Sequence, residues 1–257
     1  MITIKNQEQF DRMAIAGRAV AAVHEAIRDA AQPGVTLKEL DAIGAAVIRA
    51  HDCTASFLGY HGYPASICAS PNDVIVHGIP SDDKLREGDI LAIDAGAIYE
   101  GYHGDAAVTF GVGEISETAA QLLEVTNRAL WAGIDQVRHG ARLGDIGAAV
   151  EAEAAPYGYG VVKEYVGHGI GQQMHEAPQV PNYGRPGSGM KLKRGMAICI
   201  EPMFNLGGPE TRTESDGWTV VTADGTLSAH FEHTIAITDD GPKVLTVSDL
   251  LTARPAG

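Results

Sequence analysis

Helical stripes and longer apolar runs alternate along this chain of 257 residues. Segments near 7–31, 36–51, 117–138 and 143–155 carry apolar residues at helical spacing. Asn6 with Gln9, and Thr36 with Glu39, fit a capping box, where the first side chain accepts from a free backbone N–H and the fourth reaches back. Pro33-Gly34 closes the first helix, and Pro156 with Gly158 closes the fourth. Three further stretches read as buried strands: Ile90-Leu-Ala-Ile-Asp-Ala-Gly96, Met196-Ala-Ile-Cys-Ile-Glu-Pro-Met203 and Phe231-Glu-His-Thr-Ile-Ala-Ile237. The glycines of Tyr99-Glu-Gly-Tyr-His-Gly104 suit a hairpin, which brings Asp94 and Asp105 side by side on adjacent antiparallel strands.

The same order of elements occurs twice. Leu85-Arg-Glu-Gly-Asp-Ile-Leu-Ala-Ile-Asp94 overlays Leu192-Lys-Arg-Gly-Met-Ala-Ile-Cys-Ile-Glu201: a leucine, a basic residue, a glycine turn, then an apolar strand ending in a carboxylate. Upstream, the helical stretch from Gly17 to Ile27 resembles that from Asn127 to Val137. A twofold repeat has too few copies for a solenoid and predicts two α+β halves, near 7–112 and 116–245, whose residues meet between them. The whole chain, 1–257, then forms a single catalytic domain.

Each strand run is interrupted by an acid, Asp94, Glu201 or Glu232. A carboxylate buried without a partner costs several kcal/mol, roughly, so each position requires a positive neighbour. Lys and Arg are sparse nearby. Asp94 and Asp105 alone read equally well as turn or strand-end residues. Together with Glu201, Glu232 and His168, which glycines flank in Val166-Gly-His-Gly-Ile-Gly171, they form a mixed oxygen and nitrogen set. Two divalent cations would neutralise four carboxylates, and the set predicts a two-metal hydrolase.

Composition narrows the alternatives. Hydrophobic content of 45% and charged content of 20% are those of a soluble globular protein. The formal net charge of −14 argues against a nucleic-acid partner, since phosphate binding rests on Lys and Arg. No apolar window reaches membrane-span length and the N-terminus lacks a signal-peptide core, so no membrane partner is expected and the cytoplasm is the expected location. Cys53, Cys68 and Cys199 lack metal-knuckle spacing and read as reduced thiols, with Cys199 in plain strand packing. His24, His51 and His139 read as surface or cap residues. His77 and His175 are either structural or, beside the metals, proton-handling groups. The stretch Phe57-Leu-Gly-Tyr-His-Gly-Tyr-Pro-Ala-Ser-Ile-Cys68 walls an apolar pocket or packs a loop, and Met174 and Trp218 add weight to the first reading.

Six motifs, in order, carry a family resemblance: Asn72-Asp-Val-Ile-Val-His-Gly-Ile-Pro80, Asp94 through Asp105, Gly167-His-Gly-Ile-Gly171, Met174-His-Glu-Ala-Pro178, Ile200-Glu-Pro-Met203 and Phe231-Glu-His-Thr234. They resemble the bacterial type I methionine aminopeptidases from about residue 3 to 247. The resemblance implies the pita-bread fold, an α/β (α+β) arrangement of two pseudo-symmetric halves with antiparallel strands flanked by helices. It implies two divalent ions (Co, Mn, Fe or Zn) on Asp94, Asp105, His168, Glu201 and Glu232. A metal-bridging water or hydroxide would attack the first peptide bond, with Glu201 taking its proton. His175 would contact the tetrahedral intermediate and His77 the scissile nitrogen or the P1′ side. Phe57, Tyr60, Tyr63, Cys68, Met174 and Trp218 match positions of the methionine pocket, and a small second residue is a steric limit beyond it. Asn72, Val74 and Ser228 match a Na or K site. The implied partners are nascent polypeptide N-termini and Met-starting peptides, with transient ribosome contact, for a monomer. Phe57 stands where many relatives have Cys, Met174 where many have Phe, and Gly96 where Thr is common. The related aminopeptidases P and prolidases generally add an N-terminal domain, for which this chain has no room.

Overall fold

The computed structural model describes residues 2–248. Four helices form as the apolar stripes predict: α1 (Gln7–Ala30), α2 (Leu37–Ala50), α3 (Glu117–Ile134) and α4 (Leu143–Ala154). Both capping boxes are present, with Asn6 Oδ1 accepting from the Gln9 amide at 3.0 Å and Thr36 Oγ1 from the Glu39 amide at 3.2 Å. Helix α3 stops four residues before the predicted 138. Its last carbonyls are taken by tight turn bonds, Gln136 N to Gly133 O and Val137 N to Ile134 O, which wind the chain out of the α-helix.

Antiparallel strands carry the rest. Ile90–Tyr99 pairs along its length with Tyr102–Gly111, and on its other edge with Ile67–Pro71 and Thr54–Ala55. The connection is a two-residue turn in which Glu100 and Gly101 have φ of 44° and 80°. Both positive values mark the tight hairpin geometry that matches strand twist. A second, five-stranded sheet runs Gly241–Val244, His233–Thr238, Ala197–Ile200, Gly167–Gly169 and Glu176–Val180 in spatial order. Two short three-stranded sheets complete the set; one places Val74–Val76 beside Val220–Thr222, and the other centres on Met203–Asn205.

Helices α1 and α2 pack on the first sheet, and α3 pairs with α4 against strands of the second sheet and of the Met203–Asn205 sheet. A shared core of Val20, Ile27, Leu40, Ile67, Ile93, Leu122, Ile146, Ile198 and Ile235 links them. Helix α1 approaches closely where Gly104 faces Gly17: a Cβ on Gly104 would stand 2.7 Å from the Gly17 nitrogen, so only glycine fits. His24 lies on this packed stripe, one turn beyond Val20 and two beyond Gly17. It is 1% exposed, not the surface or cap residue the sequence suggested, and burial lowers its pKa to about 4. His51 does cap α2, with Nδ1 at 2.9 Å from Val47 O, and exposed His139 accepts from the Arg194 amide through Nδ1 at 3.3 Å.

The two sheets meet along a short seam. Glu232 and Ala107 exchange backbone hydrogen bonds of 2.8 and 3.4 Å. Thr234 Oγ1 accepts from the Asp105 amide at 3.0 Å and donates to the Asp105 carbonyl at 2.8 Å. Thr109 Oγ1 likewise joins both backbone groups of His230. The seam fixes Asp105, from the first half, beside Glu232, from the second.

Candidate active site

Strand alternation decides which side chains reach the seam. Asp94 lies opposite Ala107 and Asp105 opposite Gly96, so the two acids share a face, staggered by two residues, and their side chains meet. In the second sheet His233 pairs with Ile200, which sets Glu232 and Glu201 next to each other where the two strands end. His168 comes from the short strand Gly167–Gly169, its Nδ1 against the Gly169 carbonyl at 2.9 Å. Its Nε2 then faces the acids, 3.7 Å from Asp105 Oδ2 and 3.6 Å from Glu201 Oε1.

These spacings are too long for hydrogen bonds and right for a shared cation. Two ligand atoms each about 2.1 Å from one ion are roughly 3.4–4.0 Å apart at tetrahedral or wider angles. Asp94 Oδ1, Asp105 Oδ1, Glu201 Oε1 and Glu232 Oε1 are all buried with no hydrogen-bond donor. Burial, reinforced by neighbouring carboxylates, pushes Asp105, Glu201 and Glu232 well above the usual carboxylate range, and burial lifts Asp94 to about 7. Burial also lowers His168 to about 3, so its imidazole is neutral and ready to ligate. Four orphaned acid oxygens beside a neutral imidazole fit a divalent cation site.

All five predicted ligands line one cavity of about 340 Å³, together with Phe57, Tyr60, Tyr63, Cys68, His77, Met174, His175 and Trp218. Phe57, Tyr63, Cys68 and Met174 pack as one apolar cluster with Tyr60 and Trp218 against it. Tyr63 is edge-on to Trp218 at 5.1 Å and to Phe57 at 6.4 Å, and its hydroxyl donates to the Gly78 carbonyl at 2.9 Å. His77 stands edge-on to Tyr165 and Trp218, and burial lowers its pKa to about 4. His175 lies 4.2 Å from His168 between ring centres, and its Nδ1 is 2.8 Å from the Tyr60 hydroxyl. The departures at Phe57 and Gly96 belong together. A Cβ at position 96 would come within 2.9 Å of the Phe57 ring and 2.8 Å of Ser56 Cβ, so the larger residue at 57 uses the space a side chain at 96 would need.

Sequence reasoning passed over Tyr165 and His230, and included His61 only within the Phe57–Cys68 stretch; all three line the cavity. His230 is 2% exposed, and its Nε2 has no partner and lies 4.0 Å from Glu201 Oε2. Two-residue alternation with Glu232 was the available signal. Asn72 and Ser228 meet, the Asn72 carbonyl accepting from the Ser228 amide at 2.9 Å, and Val74 begins the strand that packs beside Ser228–His230.

A buried acid cluster with one imidazole, held where two sheets join, defines a metal-dependent hydrolase. The chain belongs to metallopeptidase family M24, whose model matches residues 11–239. It is 49% identical over 250 residues to a methionine aminopeptidase of Clostridium acetobutylicum, covering 97% of this chain and 100% of that one. Methionine aminopeptidase 1 of Mycobacterium tuberculosis is 52% identical over 246 residues, covering 93% and 92%. The solved methionine aminopeptidase of Rickettsia prowazekii superposes with a TM-score of 0.94 at 43% identity, covering 96% of this chain and all of that one. The pita-bread fold is therefore this chain's fold. A prolidase of Pyrococcus furiosus shares the fold alone, with a TM-score of 0.75 at 23% identity over 66% of its length. Among the described residues no helix is long and apolar enough to cross a membrane.

Proposed function

We propose that this chain is a methionyl aminopeptidase that removes the N-terminal methionine from nascent proteins and peptides when the second residue is small. The observation that carries the reading is the acid cluster sharing a cavity with an apolar recess of Phe57, Tyr63, Cys68, Met174 and Trp218. A methionine thioether suits such a recess.

Asp94, Asp105, His168, Glu201 and Glu232 hold two divalent ions, because four acids at full charge require about four compensating charges. Iron, manganese, cobalt and zinc all suit this donor set. Such ions, when bound, lower the pKa of water and polarise the carbonyl of the first peptide bond. Glu201, partly open to the cavity, accepts the proton of the attacking water and returns it towards the leaving amine. The Tyr60 hydroxyl donates to Nδ1 of neutral His175, which leaves the His175 proton on Nε2 as a donor for the developing oxyanion. His77, neutral between Tyr165 and Trp218, contacts the scissile nitrogen. Asn72, Val74 and Ser228 offer backbone and side-chain oxygens to a Na or K ion near His77, which follows strand Val74–Val76, and His230, which ends strand Ser228–His230.

Peptides of the Met-Gly type and of the Xaa-Pro type, assayed side by side with metal added, test the reading. Cleavage of the first is expected, and cleavage of the second alone overturns it. Glu201→Gln is expected to lower kcat by at least about 10²-fold, the usual scale for a lost general base; an unchanged rate removes Glu201 from the mechanism.

A further inference from the structure

The backbone that carries His175 has little regular structure of its own. Residues 171–175 run as successive bends, and strand pairing resumes only at Glu176, opposite Gly169 on the strand of His168. His175 lines the cavity, whereas the side chain of Glu176 meets the N-terminal segment ahead of α1. There one carboxylate gathers three donors. Lys5 Nζ stands 2.9 Å from Glu176 Oε2, with the two side chains 4% and 5% exposed. Thr3 Oγ1 donates to the same oxygen, and the Gln173 amide donates to Oε1 at 3.2 Å. Lys5 is fixed in turn, its amide donating to the Gly195 carbonyl at 2.7 Å, and the Gly195 amide donates to Ile237 O of the second sheet at 2.9 Å. The loop closes tightly around the pair: a Cβ on Gly171 would stand 2.5 Å from Lys5 Cε and 2.8 Å from Glu176 Oε1.

Building on the aminopeptidase reading of the site, we propose that Lys5 and Glu176 are positioning residues that act through His175: their buried ion pair pins the 171–176 loop and aims the imidazole at the reacting carbonyl. An ion pair this deeply buried gains little net stability, so its value lies in the conformation it selects. The Tyr60 hydroxyl fixes one nitrogen of the His175 ring, and the backbone position of residue 175 decides where the other points. A donor displaced by about 1 Å from a developing oxyanion costs up to about 10²-fold in rate. Neither Lys5 nor Glu176 lines the cavity, so substrate and cation contacts are untouched by them.

The double variant Lys5→Met with Glu176→Gln tests this, since it removes both charges together and leaves neither buried alone. With manganese-loaded protein and a Met-Gly peptide, kcat is expected to fall at least about 10-fold, while KM and manganese affinity change by less than about 2-fold. In a His175→Ala background the same two substitutions are expected to change kcat by less than about 2-fold, because residues acting through one group are not additive. Nitrogen chemical shifts of the His175 ring, measured by NMR on metal-free protein, are expected to show a single neutral tautomer in the wild type and an average of two in the double variant. Gly171→Ala carries the test if the double variant does not fold: its Cβ crowds the pair, and the same fall in kcat, again absent in the His175→Ala background, is expected. An unchanged kcat, an unchanged His175 spectrum, a manganese affinity that falls in step with kcat, or an equal loss in the His175→Ala background overturns the proposal and leaves the peptidase reading standing. A wild type inactive on Met-Gly peptides defeats both.

Discussion

Removing the metals should change the pH dependence of stability, and the acids set its direction. Burial raises Asp94 from the ordinary 3.8 to about 7 in the metal-free fold. The native state then binds more protons than the unfolded chain between these values, so the contribution is fully present below about pH 4 and is lost as pH rises through about 7. At about 1.4 kcal/mol per pH unit, Asp94 alone destabilises the metal-free protein by about 4 kcal/mol at pH 8. Asp105, Glu201 and Glu232 act in the same sense. Cations reverse the effect by favouring the ionised acids. The buried imidazoles His24 and His233, lowered to about 4 and about 3, weaken both forms at acid pH, so the informative quantity is the gap between forms at one pH. Thermal unfolding of chelated and manganese-loaded protein should show a gap that widens from pH 5 to pH 8 by roughly 10 °C, given about 2–4 °C per kcal/mol for a chain of this size. A gap of equal size at both pH values would refute the argument that these acids are protonated in the empty centre.

Other perturbations probe single contacts. Gly96→Thr should destabilise the fold by about 1–3 kcal/mol through collision with Phe57, and adding Phe57→Cys should recover most of that in a double-mutant cycle by urea unfolding. Tyr60→Phe should lower kcat by about 10-fold with little change in metal affinity, since it removes the proton that fixes the His175 tautomer; an unaltered kcat would discard that role. Thr234→Val strips both side-chain bonds from the Asp105 backbone, for an expected loss of about 1–3 kcal/mol in urea unfolding and weaker metal uptake by calorimetry.

The parts most legible in the sequence were those with local causes. Asn6, Thr36, Pro33 and Pro156 mark helix ends because caps and breaks act within one turn. Acids inside apolar runs were conspicuous because burial makes them costly without a partner. His24 was misjudged although its spacing from Gly17, Val20 and Ile27 puts it on the packed stripe of α1. His230 went unnoticed for a related reason: it precedes Glu232 by two positions, and the side-chain period of an extended strand aims both residues of such a pair the same way. The seam between the sheets had no local signal, since hydrogen bonds such as Thr234 to Asp105 span 129 residues of chain. The link between Gly96 and Phe57 was equally hidden, because it depends on which strands become neighbours.

That seam also dictates when the centre can exist. A growing chain that has delivered Asp94, Asp105 and His168 to solution still lacks the wall that orients them, because Thr234 and Glu232 arrive last and fasten the earlier strand in place. Cation capture is thus a late event in biogenesis, and polypeptides interrupted before Glu232 should be unable to retain the ions however well their first half has folded.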